Sequence, residues 1–180
     1  MIEMNIEAIR VSLMNFQRVV VLKEKDASRY LPIWIGPAEA DAIAVRLQGV
    51  EVSRPLTHDL FTNALGVLGS QVTRVVVTSL SNETFHAHIY LQTSEEELEI
   101  DSRPSDAIAL AVRGEVPIFV TDEVLEQAGV TVDDMANGLE NGDSSDRSAV
   151  RPVPEEELKR MSAFREFIQG LDLDDFDQRQ

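Results

Sequence analysis

The sequence predicts an α+β fold, a mixed or antiparallel sheet packed with a few helices, plus a separate C-terminal helix. Three observations carry this. Apolar and polar residues alternate through the first third of the chain and again between residues 72 and 92, the period of half-buried strands. Alanine-rich stretches opened by proline follow strand patterns and have helical spacing. Hydrophobic residues make up 43% of the 180-residue chain, enough for a buried core.

The elements follow in order. Ile2, Met4 and Ile6, then Ile9, Val11 and Leu13, alternate with polar residues, and a slip of phase near Ala8 predicts a bulge. Val19 to Leu22 continues the strand pattern. Tyr30 to Ile35 is a further strand, in which Pro32 has no N–H to give and so predicts an edge or a strand start. Pro37 suits a first helical turn, and Glu39 and Asp41 favour the positive end of its dipole. A helix is therefore expected from Ala38 to Leu47, stopped at Gly49. A second helix begins with Thr57 as its cap and runs to Gly69. Val72–Leu80 and Thr84–Gln92 read as a hairpin joined through Ser81, Asn82 and Glu83. Glu95–Asp101 is a charged strand suited to an edge, Pro104–Arg113 a third helix and Val116–Val120 a short strand. Thr121 then caps a helix ending at Gly129.

This places one domain over residues 1–132. Residues 133–154, rich in Asn, Gly, Asp and Ser, read as a flexible acidic linker. Residues 155–180 hold an amphipathic helix, with Leu158, Met161, Phe164, Phe167 and Ile168 on one stripe, and an acidic tail. That helix could dock on the domain or on a protein partner. The absence of cysteine excludes disulfides, thiolate metal sites and cysteine nucleophiles. With no signal-peptide pattern and no run near the ~20 apolar residues of a membrane span, the expectation is a cytoplasmic protein without membrane contact. Strand edges make a homo-oligomer the expected assembly.

A formal net charge of -16 opposes high-affinity nucleic-acid binding, because such affinity comes largely from phosphate neutralisation. Any phosphate chemistry therefore needs a bound cation or a local basic cluster. Three segments could supply it. Asp101-Ser102-Arg103-Pro104-Ser105-Asp106 sets carboxylates, hydroxyls and a guanidinium at a helix start, where unpaired N–H groups favour anions. The plainer alternative is that Ser102 or Ser105 caps the helix and Asp106 complements its dipole, which leaves Arg103 unexplained. Arg54-Pro55-Leu56-Thr57-His58-Asp59 offers a histidine for general-base or metal duty and an arginine that fits phosphate. Its plainer reading is again a capped helix start. Gly36 to Asp41 adds Glu39, which a first-turn dipole role would also explain. His86 and His88 share one strand face, more simply solvated than metal-bound. Asp41–Arg46 also echoes Asp106–Arg113, through an old duplication or through two alanine-rich helices looking alike.

Taken together, Leu31–Ala40, Arg54–Leu60 and Ile100–Ala111 resemble the hallmark blocks of the bifunctional nuclease family in order and separation, over about residues 4–130. The resemblance implies a compact α+β domain and, as in characterised members, degradation of RNA and DNA, with single-stranded or duplex nucleic acid as substrate. If the blocks converge, Glu39, His58, Asp59, Asp101 and Asp106 surround a pocket rimmed by Arg54 and Arg103. Catalysis would then fall to His58, Asp59, Asp101 and Asp106, and substrate binding to Arg54, Arg103, Ser102 and Ser105. Mg²⁺ or Mn²⁺ would be held by Glu39, Asp101 and Asp106. A non-catalytic regulatory or protein-binding module of the same fold is the alternative, and an enzyme acting on a small phosphorylated metabolite is a third reading.

Overall fold

The computed structural model describes residues 1–11 and 18–131. The expected linker over 133–154 and helix over 155–180 lie outside the described residues, as does Leu13. In chain order the elements are β1 (Ile2–Val11), β2 (Arg18–Glu24), β3 (Arg29–Ile35), α1 (Pro37–Leu47), α2 (Thr57–Val67), β4 (Gln71–Ser81) and β5 (Thr84–Gln92). They continue with β6 (Glu97–Ser102), α3 (Pro104–Gly114), β7 (Ile118–Val120), α4 (Asp122–Ala128) and β8 (Val130–Thr131). The strands form one sheet in the order β6-β5-β4-β7-β1-β2-β3-β8. Every neighbouring pair is antiparallel except β4 with β7, so the sheet is mixed, as the sequence predicts.

One face of the sheet carries the core. Val20 and Leu22 on β2, Leu31 and Ile33 on β3, Val75 and Val77 on β4, and Ala87, Ile89 and Leu91 on β5 are all buried in one cluster. Ile43 of α1, Ala107–Ala111 of α3, and Val124 and Leu125 of α4 complete it. The register of β1 on β2 shifts between Ile6 and Ala8, where the hydrophobic phase slips. β3 pairs with β2 along its length but with β8 only at Arg29 and Tyr30, so Pro32 needs to give no N–H to a second neighbour.

α3 is the return crossover. β4, β5 and β6 form a meander out to the sheet edge, and the chain must come back to lay β7 parallel to β4. It therefore crosses the inner face, with the sheet beneath it and α1 and α2 packed against it. Burial on both sides explains Ala107, Ala109 and Ala111, whose small side chains let the backbone approach its neighbours closely.

Local chemistry departs from the sequence reading in four places. Ser81 pairs with Thr84, so the β4–β5 turn is only Asn82-Glu83, both at positive φ (48° and 61°), the twist-matched hairpin turn. Thr57 is the first residue of α2 rather than its cap. The cap position is Leu56, whose N–H donates to the Asp59 carboxylate at 2.8 Å. Neither Ser102 nor Ser105 caps α3: the cap position is Arg103, Ser102 Oγ donates to the Ala87 carbonyl at 3.4 Å, and Ser105 is buried. Thr121 holds its expected position before α4, but its hydroxyl donates to the Thr78 carbonyl at 3.1 Å. Among the described residues no helix is long and apolar enough to cross a membrane.

Because α3 is packed on both sides, its fully buried Ile108 has no room to be replaced without a cavity. Ile108→Ala is expected to destabilise the domain by about 2–5 kcal/mol. Urea denaturation checks this as a lowered midpoint with an unchanged m-value.

Candidate functional site

α1 and α3 start alike. Each follows a strand through one extended residue, Gly36 (φ -69°, ψ 158°) or Arg103 (φ -70°, ψ 144°), and each has proline at its start. The two starts lie side by side, with Arg103 Nη1 3.0 Å from Glu39 Oε1. Arg103 also grips Asp106 with the Nε–Nη2 edge of its guanidinium, Nε to Oδ2 at 2.7 Å and Nη2 to Oδ1 at 3.2 Å. Asp106 Oδ1 lies 3.2 Å from His58 Nε2 in the first turn of α2. A polar chain Glu39–Arg103–Asp106–His58 thus joins the first turns of three helices. Gly36 makes room for it, because a Cβ there would collide with the Glu39 carboxylate folded back over it.

Burial works against ionisation of Asp106, but hydrogen bonds from Arg103 and His58 outweigh it and hold the carboxyl below the usual aspartate range. The hydrogen bond to Asp106, with the charges of Asp106 and Glu39, likewise raises the guanidinium of Arg103. An ionised Asp106 can only accept, so His58 Nε2 must donate in their contact. This hydrogen-bond logic makes Nδ1 the free base of the neutral ring. The side chain of His58 is 15% exposed, whereas that of Arg103 is 68% exposed. Arg103 is therefore held from beneath by two carboxylates and turns its remaining N–H donors to solvent.

The other expected site residues lie elsewhere. Asp59 Oδ1 accepts from Arg113 Nε at 2.6 Å, at the far end of α3. The side chain of Arg113 is 4% exposed and also donates to the carbonyls of Ala109 and Ala42, at 3.0 and 3.2 Å. Asp101 faces the other side of the sheet. It stands opposite His88 on β5, one residue out of phase with the Ser102–Ala87 pair that faces the helices. Its carboxylate is 3.9 Å from His88 Nε2, and Glu99 is 2.5 Å from Nδ1 of the same ring. Arg54 lines a separate cavity. The structure thus brings Glu39, His58, Arg103 and Asp106 together and leaves Asp59, Asp101, Arg54 and Ser102 outside that chain, with Ser105 buried beside it.

The donor set expected for Mg²⁺ or Mn²⁺ does not fit a shared cation in this arrangement. Asp101 projects from the opposite face, and the Arg103 guanidinium itself bridges Glu39 to Asp106. Among the described residues no three His, Cys, Asp or Glu side chains are grouped so as to hold a metal ion. The sequence reading missed Arg113. A basic residue in the last turn of a helix reads as a dipole complement, which hides a buried tie. The one available signal was that both echoing helices end on arginine, Arg46 and Arg113.

Residues 20–133 match a family model described as the bifunctional nuclease domain. An uncharacterized protein of Mycobacterium tuberculosis (strain ATCC 25618 / H37Rv) is 39% identical over 174 residues, 97% of this chain and 97% of that one. Bifunctional nuclease 2 of Arabidopsis thaliana is 27% identical over 169 residues, 88% of this chain and 51% of that protein. Bifunctional nuclease 1 of Oryza sativa subsp. japonica is 28% identical over 117 residues, 63% of this chain and 35% of that protein.

The tie between α2 and α3 has a measurable signature. Burial opposes the charge on Asp59, yet the Leu56 N–H and Arg113 together hold its carboxyl below the usual range. A carboxyl depressed in the folded state contributes stability that is fully present above its unfolded value and lost as pH falls through its folded value. Asp59→Asn is therefore expected to cost about 2 kcal/mol at neutral pH. It should also flatten the loss of stability in acid, read from urea midpoints through the carboxylate titration range.

Proposed function

Since the chain belongs to the bifunctional nuclease family, we propose that it is a hydrolase that cleaves phosphodiester bonds in RNA, DNA or both at the start of α3. The observation that carries this reading is the Glu39–Arg103–Asp106–His58 chain. It offers what the reaction needs: an exposed guanidinium for a phosphate oxygen, and beside it an imidazole whose second nitrogen can take a proton.

Arg103 presents its outer N–H edge to the phosphate at the positive end of α3, and Glu39 and Asp106 fix the plane of that edge. As the phosphorus takes on a fifth oxygen, the guanidinium counters the growing negative charge. His58 Nδ1 accepts the proton of the attacking water, and Asp106 holds the ring in the required tautomer and stabilises the imidazolium that forms. The proton then passes to the leaving oxygen, which closes the cycle. Single strands and duplexes are both candidate substrates, because this chemistry touches only the backbone. A divalent cation would supply Lewis-acid polarisation of the phosphate and an activated water. With its donors dispersed, no step above runs through one, and metal dependence belongs to the test.

The assay is cleavage of labelled single-stranded RNA, single-stranded DNA and duplex by the purified chain, with Mg²⁺, Mn²⁺ or chelator. His58→Ala and Asp106→Asn are each expected to lower kcat/KM by about 10²–10⁴. Undiminished cleavage by both variants would mean that the activity arises elsewhere, and strand binding without cleavage under any metal would leave a binding module. A subtler variant tests the cradle. Gly36 has an ordinary extended backbone, so Gly36→Ala is tolerated locally but displaces the Glu39 carboxylate from Arg103. Thermal unfolding should move little, while KM for oligonucleotides rises severalfold.

A further inference from the structure

The connection between α1 and α2 walls a cavity of about 570 Å³ that lies apart from the Glu39–His58 chain. Arg46, Arg54 and Arg113 all line it, an unusual concentration of cations in a chain of net charge -16. Their states differ. Arg113 is committed to Asp59, and Arg46 to Glu115 at 3.2 Å. Arg54 makes no ion pair or hydrogen bond with any residue among the described ones, whereas Arg74, Arg103 and Arg113 are all paired with carboxylates. The rest of the wall is mainly apolar, with Val50, Val52 and Leu56 exposed. Glu51 is on the wall as well, and the charge of Asp59 is countered by Arg113.

A free guanidinium beside exposed apolar side chains fits a ligand with an anionic end and a flat apolar body. A nucleotide unit of a single strand has both: the phosphate meets Arg54, and the unstacked base lies against Val50, Val52 and Leu56. Position agrees. Asp106 and Arg113 mark the two ends of the path, seven residues apart on α3, or about 10 Å at 1.5 Å per residue. A single strand covers that distance in a few nucleotides. We propose that this cavity is a nucleotide subsite, holding a unit of single-stranded nucleic acid a few positions from the bond cut beside Arg103. The inference rests on the proposed hydrolysis for its polarity toward Arg103, but binding at Arg54 can be measured without any turnover.

The test uses the full chain and a fluorescent single-stranded oligonucleotide with phosphorothioate linkages, read by anisotropy over a salt series. Arg54→Glu is expected to weaken Kd at least about tenfold and to lower the slope of log Kd against log salt by about 0.7, one phosphate contact on a single strand. Lys25→Glu makes the same charge change at a remote exposed pair with Glu3 and should change neither quantity appreciably. Unchanged binding by Arg54→Glu overturns the subsite. So does an equal loss in Lys25→Glu, which would mean only overall charge matters, and so does an absence of strand binding by the unaltered protein. Cleavage of an ordinary phosphodiester oligonucleotide is scored separately. Its absence counts against the hydrolysis and leaves the binding comparison intact.

Discussion

The buried guanidinium of Arg113 is the contact on which the arrangement of the helices depends. A charge this deeply enclosed is tolerated only if its donors are met, and three groups meet them: Asp59 from α2, the Ala42 carbonyl from α1 and the Ala109 carbonyl of its own helix. α2 needs this anchor because it contributes no fully buried residue to the core. Hydrophobic packing alone holds it weakly, with Leu65 only partly buried against the cluster. Asp59 is also the residue whose carboxylate takes the Leu56 N–H, so one side chain both starts α2 and ties it down. With Asp59 fixed on Arg113, its neighbour His58 is left to face Asp106. The site is thus set from the far end of α3, by a residue that takes no part in its chemistry.

The parts of this architecture legible in sequence are those governed by periodicity. Alternation found the strands, the phase slip near Ala8 found the bulge, and Pro32 marked a strand side without a full neighbour. Prolines at 37 and 104 found two helix starts that lie together in space. What periodicity cannot rank is the competition among several polar groups for the same few helix-start N–H donors. Thr57, Ser102 and Ser105 each had the right chemistry for a cap. Asp59 won at α2 because it is held at the correct angle by Arg113, a contact 54 residues away.

Asp101 failed for a different reason, one that strand geometry explains. The sequence makes it the last residue of the strand Glu95–Asp101 and groups it with Asp106 at the start of the following helix. In fact β6 runs on to Ser102, so the alternation of faces still applies. Ile100 and Ser102 differ from it by one residue, and Ile100 pairs with the buried Ile89, so Asp101 must face away. A one-residue difference in where a strand ends moves a carboxylate across the sheet. The same parity puts His88, Glu99 and Asp101 together on one outer face.

The acid excess shapes how such a site could hold a polyanion. Glu39 and Asp106 together carry more negative charge than Arg103 balances, and only a protonated His58 would bring the group to neutrality. Arg103 is therefore well placed to orient a phosphate but poorly placed to attract one. Affinity must come from a cation whose charge is not already spent, and from apolar contact that does not depend on charge. Arg54, flanked by Val52 and Leu56, has both properties, and it lies beyond the carboxylates that weaken Arg103. Dividing the work this way lets the carboxylates keep the guanidinium rigid and the histidine in one tautomer without repelling the strand they act on. It also favours contact with the unstacked base over contact with the backbone, because a protein of net charge -16 gains little from phosphate alone.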